Sequence, residues 1–125
     1  MESATVKSLK LPTFEGKRNK FQVWWTRFLA YASVFGFSKA LKIGGEVDLP
    51  SKEDEVFDET TEEGKKKLNA LKRNAIAIAN LTSAFTTDGM MALVYEAKDD
   101  DWPGGLARVV VAALLAKFQP HDTMT

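Results

Sequence analysis

The stretch NKFQVWWTRFLAYASVF, residues 19–35, predicts the helix against which the rest of the chain packs. At 100° per residue its large apolar side chains fall within about 100° of arc, and mostly polar or small residues lie opposite. We expect this helix to begin with Asn19 as its N-cap and to end at Gly36. The pattern is typical of a helix buried on one side; the alternative interpretation is an aromatic platform on which bases stack. The apolar stripe consists of Phe21, Trp24, Trp25, Phe28, Ala32 and Phe35.

Residues 1–18 are predicted to form an extended, basic N-terminal arm. Pro12 and Gly16 disfavour a helix in this region. We expect Leu11 and Phe14, the apolar side chains of the arm, to dock on the helices behind it. The helical domain then spans residues 19–118, and residues 119–125 form a tail.

The segment that follows the aromatic helix is predicted to be a short helical turn over residues 38–42 and then a long acidic loop, residues 43–60. A structureless stretch of this length is uncommon inside a domain and is usually mobile or functional. Its acidic residues do not follow the spacing of a calcium-binding loop, so we expect no metal there.

Two further helices are predicted after the acidic loop. The first of them is expected to begin near Thr60 or Thr61, and Thr60 followed by Glu63 reads as a capping box. Its basic residues form an outer face, and its predicted inner face contains Leu68, Leu71, Ala75, Ile78, Ala79 and Phe85. The second helix is expected to start near Asp88.

The last predicted helix, residues 105–118, is apolar nearly all round. One face contains Val110 and the other contains Val111, Leu115 and Phe118. Such a helix is either central to its own domain or shared with a partner, and the sequence leaves both interpretations open. The predicted fold is therefore all-α, a compact bundle of about five helices with an extended arm and a long acidic loop. The predicted core residues are Phe21, Trp24, Trp25, Phe28, Leu71, Ile78 and Val110.

The net charge of zero conceals strong segregation. Residues 1–42 carry a balance of +6, whereas residues 43–63 carry −8. These surfaces are either ordinary solvated faces or the places where neighbouring copies meet, and the basic residues also suit RNA. The candidate assembly residues are Lys7, Lys10, Arg18, Glu53, Asp54, Glu55, Val111, Leu115 and Phe118. The candidate RNA contacts are Lys65, Lys66, Lys67, Lys72 and Arg73.

Catalytic residue types are scarce in this chain. It has no cysteine, which excludes a thiolate zinc site and a cysteine nucleophile, and its single histidine is His121 in the tail. The longest apolar run, residues 109–116, is shorter than the ~20 residues that span a bilayer. We therefore expect an intracellular protein that is not an enzyme and uses no cofactor, small-molecule substrate or membrane.

Three segments taken in order resemble the Gag polyprotein of copia-type long-terminal-repeat retrotransposons. The first is LKLPTFEGKRNKFQVWWTRFLAY, with the arm motif Leu11-Pro12-x-Phe14-x-Gly16 followed by Phe21 and Trp24. The second is NAIAIANLTSAF, residues 74–85. The third is WPGGLARVVVAALLAKFQPHD, whose matching residues are Gly105, Ala107, Leu114, Lys117, Phe118, Pro120 and Asp122.

The resemblance implies a capsid role. Gag of this type assembles into a cytoplasmic virus-like particle that encloses RNA, and this chain is similar to the N-terminal part of its capsid region. The family usually has a tryptophan where this chain has Val111, so we expect Trp102 or Trp25 to take over its packing role. We expect an isolated domain of this kind to self-associate weakly. The alternatives are a domesticated Gag-derived module that holds a peptide in a groove beside the last helix, and a non-specific RNA-binding domain.

Overall fold

The computed structural model describes residues 9–119, which fold into four α-helices joined by turns and loops. The helices are α1 (Phe21–Val34), α2 (Glu62–Ala84), α3 (Asp88–Glu96) and α4 (Ala107–Phe118), with 3-10 turns at Arg18–Lys20 and Ser38–Leu41. The predicted all-helical class is confirmed for residues 9–119, but they contain four α-helices instead of five. The expected helical turn over 38–42 is a 3-10 turn, because the few residues between Gly36 and Gly44 are too short to nucleate an α-helix.

The two ends of α1 differ in how well the sequence predicted them. Asn19 is not the N-cap, since it lies inside the 3-10 turn that leads into the helix, and Lys20 occupies the cap position without a side-chain bond. The predicted end is confirmed. Gly36 takes a φ of 81°, and the Phe37 N–H donates to the Ala32 carbonyl over 3.0 Å, which is the hydrogen-bond pattern of a Schellman motif.

The aromatic stripe of α1 forms the centre of the core, except for Phe35, which is the C-cap residue and is 39% exposed. Phe21 stacks on Phe118 of α4 with ring centroids 5.2 Å apart, and Trp24 stacks on Phe14 of the arm at 4.9 Å. Trp25 stacks on Phe21 at 6.1 Å. Aromatic pairs in such geometries add to the free energy gained by burial alone. The predicted core residues that the structure buries are Phe21, Trp24, Trp25, Phe28 and Val110.

Residues 9–18 of the N-terminal arm dock as expected, through the backbone as well as the side chains. The Phe14 N–H donates to the Ala84 carbonyl over 2.8 Å, and the Thr86 N–H donates to the Phe14 carbonyl over 3.2 Å. These bonds form a single parallel bridge between Phe14 and Phe85 at the end of α2. Both phenylalanines are buried, and Leu11 packs against the same core.

The helix α2 is rotated relative to the sequence prediction. Its buried face consists of four small residues, Asn74 and Leu81, and it packs against α4 and the Ser38–Leu41 turn. Leu71 and Ile78, predicted as core, are only half-buried, and Ala75 and Ala79 are exposed. Small residues allow close approach of the helices, so here they outweigh the larger apolar residues beside them. The buried residues of α2 are Gly64, Ala70, Asn74, Ala77, Leu81 and Ala84.

The helix α2 begins at Glu62, beside the predicted start near Thr60 or Thr61, but the predicted capping box on Thr60 is wrong. Thr61, not Thr60, is the N-cap, and its hydroxyl accepts a hydrogen bond from the Gly64 N–H over 2.9 Å. Thr60 is engaged elsewhere, because its hydroxyl and its N–H both donate to the Asp58 carboxylate, over 2.6 and 2.9 Å. The predicted start of α3 is confirmed, with Thr87 as its N-cap.

Asn74 is the one polar residue that is buried as a whole within residues 9–119, and it joins α2 to α4. Its amide nitrogen donates to the Gly105 carbonyl over 3.0 Å, and its amide oxygen accepts from the Ala107 N–H over 2.8 Å. The N-cap residue of α4, Leu106, has no side-chain oxygen to offer. A residue 33 positions before Ala107 therefore satisfies the first N–H of α4.

The last helix is central to its own domain. Ala107, Val110, Val111, Leu114 and Phe118 are all buried, so both of its predicted apolar faces are largely used inside the chain. This observation favours the first of the two interpretations that the sequence left open. Trp102, just before α4, is also buried, and its indole N–H donates to the Ser51 carbonyl over 3.2 Å.

Replacing Trp24 by alanine is expected to lower the free energy of unfolding by about 3–5 kcal/mol, because a buried aromatic and its contacts with the arm are lost. Val23→Ala is the matched control at the preceding residue, whose side chain is 57% exposed. The free energy of unfolding of this variant should stay within about 0.5 kcal/mol of the parent value. Chemical denaturation followed by tryptophan fluorescence and circular dichroism measures both. Equal losses for the two variants would contradict the packing described for Trp24.

Replacing Asn74 by alanine is expected to destabilise the domain by about 2–4 kcal/mol, because the Gly105 carbonyl and the Ala107 N–H lose their buried partner. Asn69→Ala on the exposed side of α2 is the control and should be neutral or slightly stabilising, since alanine is the better helix former. Amide hydrogen exchange at Ala107 should accelerate in the Asn74 variant alone. Unchanged exchange at that amide would refute its role in capping α4.

Candidate assembly surfaces

An open groove of about 1070 Å³ lies between the arm and α1. Its floor is mostly apolar and includes Leu11, Val23, Trp24, Tyr31 and Val34. Val23 and Val34 remain 57% and 47% exposed, so the floor offers apolar surface that the domain itself does not cover. A contiguous apolar surface of this kind, edged by polar residues, is typical of an interaction site.

Hydrogen bonds to the backbone hold the arm side of the groove. The Trp24 indole N–H donates to the Pro12 carbonyl over 3.0 Å, and the Thr87 hydroxyl donates to the Glu15 carbonyl over 3.2 Å. Gly16 has a φ of 104°, and a Cβ there would lie 3.2 Å from the Met90 side chain. Glycine is therefore required where the arm turns toward α1.

The rim of the groove is basic. Lys10 and Lys17 on the arm face Lys20 and Arg27 around the opening, and all four are exposed. The one acidic residue in the lining is Glu15, which lies 3.1 Å from the Lys17 ammonium. An apolar floor with a positive rim suits a segment that carries apolar side chains among carboxylates.

The sequence identified only part of this surface. Lys10 lies on the rim, whereas Arg18 lies 5.8 Å above the Phe118 ring, and Lys7 falls outside residues 9–119. The sequence interpretation missed the second stripe of α1, which faces the groove. Its signal is a spacing of four, three and four residues along one helical face: Val23, Arg27, Ala30 and Val34.

The acidic loop is ordered by contacts with the rest of the chain. The Glu46 carboxylate accepts hydrogen bonds from the Arg73 guanidinium, the shortest of them 2.7 Å, and this raises the pKa of Arg73. The Glu53 N–H donates to the Asp101 carbonyl over 2.8 Å, and the Glu53 carboxylate accepts from the Gly104 N–H over 2.7 Å. Residues 43–60 contain no helix or strand, as predicted, but partners far along the chain, of which local patterns give no sign, hold the loop in place.

Glu55 is the second anchor of the loop. Its carboxylate lies 2.7 Å from the Lys67 ammonium and accepts two hydrogen bonds from Ser51 over 2.9 Å each. The hydrogen bond from Lys67 and those from Ser51 lower the pKa of Glu55 to about 2. The same contact raises the pKa of Lys67. The anchor thus depends on an ionised carboxylate.

Three predicted interface residues of the loop have different environments. Glu53 and Glu55 bind within their own chain, and Asp54 remains exposed. The loop also presents two valines, Val47 and Val56, which are 97% and 95% exposed. The charge pattern of this region did not predict that the anchored loop would expose two apolar side chains.

The basic face of α2 divides into two groups. Lys65, Lys66 and Lys72 are exposed, as an RNA contact requires. Lys67 and Arg73 instead pair with Glu55 and Glu46. The prediction that all five cations form one open surface is therefore wrong.

The candidate assembly residues on α4 are mostly inaccessible. Val111 and Phe118 are buried, and Leu115 is half-buried against the core. The prediction that Val111 and Phe118 meet another copy is therefore wrong for this conformation. Both side chains complete the packing between α4 and the aromatic cluster.

Acid should release the Glu55 anchor in a defined range. Since the folded-state pKa is depressed from 4.5 to about 2, its stabilising effect is present above pH 4.5 and is lost as the pH falls toward 2. We expect Glu55→Gln to flatten the pH dependence of stability between pH 4.5 and 2, measured by denaturation at a series of pH values. Glu59→Gln removes an exposed carboxylate from the same loop and should preserve the parent slope. A Glu55 variant with the parent slope would show that the anchor does not contribute.

No group of three or more metal-ligating side chains comes together within residues 9–119. No helix among those residues is long and apolar enough to cross a membrane. Comparison with protein-family models, with curated proteins and with solved structures finds no match to this chain. The contacts and charges described above are thus the basis for any functional proposal.

Proposed function

We propose that this chain is a structural assembly domain, the N-terminal part of a copia-type Gag capsid, and that it makes weak repeated contacts in a cytoplasmic particle enclosing RNA. The proposal rests first on the contacts between the three segments that resemble this family. Asn74, the first residue of the middle segment, binds Gly105 and Ala107 of the last segment. Those two residues belong to the motif through which the last segment resembles Gag.

The arm motif and the end of the last motif also meet. Phe118 lies edge-on to Phe14 of the arm with centroids 5.2 Å apart, and it stacks on Phe21 at the same distance. Pro12 of the arm motif accepts the hydrogen bond from Trp24. The three motifs that carry the resemblance therefore contact one another. Their order and spacing have one physical reason, because the residues of the motifs pack together as a single unit. This is the observation that most supports the proposal.

The surface chemistry fits assembly better than catalysis. The domain carries a basic, apolar-floored groove and an acidic loop with exposed valines, which are complementary in charge and both apolar at their centres. A particle needs contacts that are individually weak and are summed over many copies. In the alternative of a peptide-holding module, the groove would lie beside α1 and not beside the last helix.

RNA binding is a second candidate, supported by one observation. Lys65 and Lys72 lie two turns apart on α2, and both are exposed together with Lys66. Three lysines on one helix can contact phosphates without reading sequence, and such binding weakens steeply with salt. Lys65→Glu/Lys66→Glu/Lys72→Glu should abolish it in a filter-binding titration. Retained affinity would exclude this surface.

Self-association is the direct test of the assembly proposal. The isolated chain should be monomeric at micromolar concentration, and its weight-average mass should rise toward millimolar concentration in light scattering. Because charged surfaces are involved, added salt should weaken the association. The product of the complete reading frame, expressed in cells, should form particles visible by electron microscopy. Absence of both self-association and particles would overturn the proposal.

A further inference from the structure

We propose that the groove between the arm and α1 receives the acidic loop of a second copy of this chain, with Val47 and Val56 packing on the apolar floor. This inference rests on the proposed assembly function and names the contact through which it would occur. It is based on two complementary surfaces. The groove is apolar with cations around it, and the acidic loop presents apolar side chains with carboxylates around them.

The loop is built to present its valines. Val47 lies between Glu46 and Asp48, and Val56 follows Glu55, so the two ion-paired glutamates are immediate neighbours of the two exposed valines. Those glutamates fix the backbone through Arg73 and Lys67 while the valines project almost entirely into solvent. A loop that is already ordered loses little conformational freedom on binding, and this favours association.

The charges that remain match those of the groove. After pairing with Arg73 and Lys67, residues 43–63 keep six net negative charges. Asp54, Asp58 and Glu59 are exposed beside Val56. The rim of the groove offers four cations and one carboxylate. Opposite potentials of this kind steer two surfaces together and set their register.

The loop does not occupy the groove of its own chain. The lining consists of residues from the arm, from the start of the domain through α1, and Thr86, with no residue of the loop. The loop is fastened instead to α2 and to the segment before α4, through Arg73, Asp101 and Gly104. A contact between loop and groove therefore joins two different surfaces of two copies. Such a heterologous contact generates rings or open chains, which is the growth mode that a shell requires.

The test uses one variant for each surface and a matched control. Val47→Ser/Val56→Ser alters the loop, and Lys20→Glu/Arg27→Glu alters the groove. Lys65→Glu/Lys66→Glu makes the same change in charge on the outer face of α2. All six positions are exposed or on the surface, so circular dichroism should show that every variant folds. Sedimentation equilibrium up to millimolar concentration measures self-association.

Each of the loop and groove variants should weaken self-association about tenfold or more, which corresponds to about 1.4 kcal/mol. The control should associate as the parent does. Mixing the loop variant with the groove variant should yield a 1:1 dimer and nothing larger, because only one intact loop and one intact groove remain. Restoring opposite charge by adding Asp54→Lys/Glu59→Lys to the groove variant should recover association.

Several results would overturn the inference. If the groove variant alone loses association, another segment fills the groove; if the loop variant alone loses it, the loop binds elsewhere. A mixture that grows beyond a dimer would contradict a single heterologous contact. If the parent associates and both variants associate equally well, this contact is wrong while the assembly proposal stands. A parent that stays monomeric at millimolar concentration overturns this inference, and particle formation by the complete product then decides the assembly proposal separately.

Discussion

The docking of the arm on Trp24 is the interaction on which the rest of this structure depends. The indole ring stacks on Phe14 while its N–H donates to the Pro12 carbonyl, so one side chain fixes both an apolar contact and a polar one. Proline has no N–H of its own, but its carbonyl is a full acceptor, and the indole satisfies it. The arm thereby covers one side of the aromatic cluster and becomes one wall of the groove. Core packing and the candidate binding surface thus arise from the same contact.

Charge segregation in this chain has a structural role as well as a functional one. Two of the acidic residues of the loop pair with cations 12 and 27 residues farther along the chain, and these pairs order a segment of nearly twenty residues. Both ion pairs are partly buried, and the loop adds further anchors to them, including the backbone and carboxylate bonds of Glu53. The remaining negative charge stays on the surface. The loop consequently has both a fixed conformation and a negative charge, which are the two properties that a recognition element needs.

Asn74 shows how a single buried amide can set the relation between two helices. An amide side chain both donates and accepts, so it can bind a carbonyl and an N–H of the same turn. Those two groups flank the start of α4, where the helix lacks a capping side chain of its own. Burying the amide is favourable because both of its hydrogen-bonding groups are used. The small residues on either side of Asn74 on α2 permit the close approach that these bonds need.

The sequence by itself determined the helical class, the aromatic face of α1 apart from Phe35, and the end of α1 at Gly36, because these depend on local periodicity and on the backbone freedom of glycine. The rotation of α2 could not be predicted, since apolar periodicity favoured Leu71 and Ile78 while close packing selected alanines and Asn74. The groove likewise appeared only when the arm lay beside α1. The order of the acidic loop depended on cations distant in sequence. Such features belong to the tertiary structure, because they are contacts between segments and no single segment contains them.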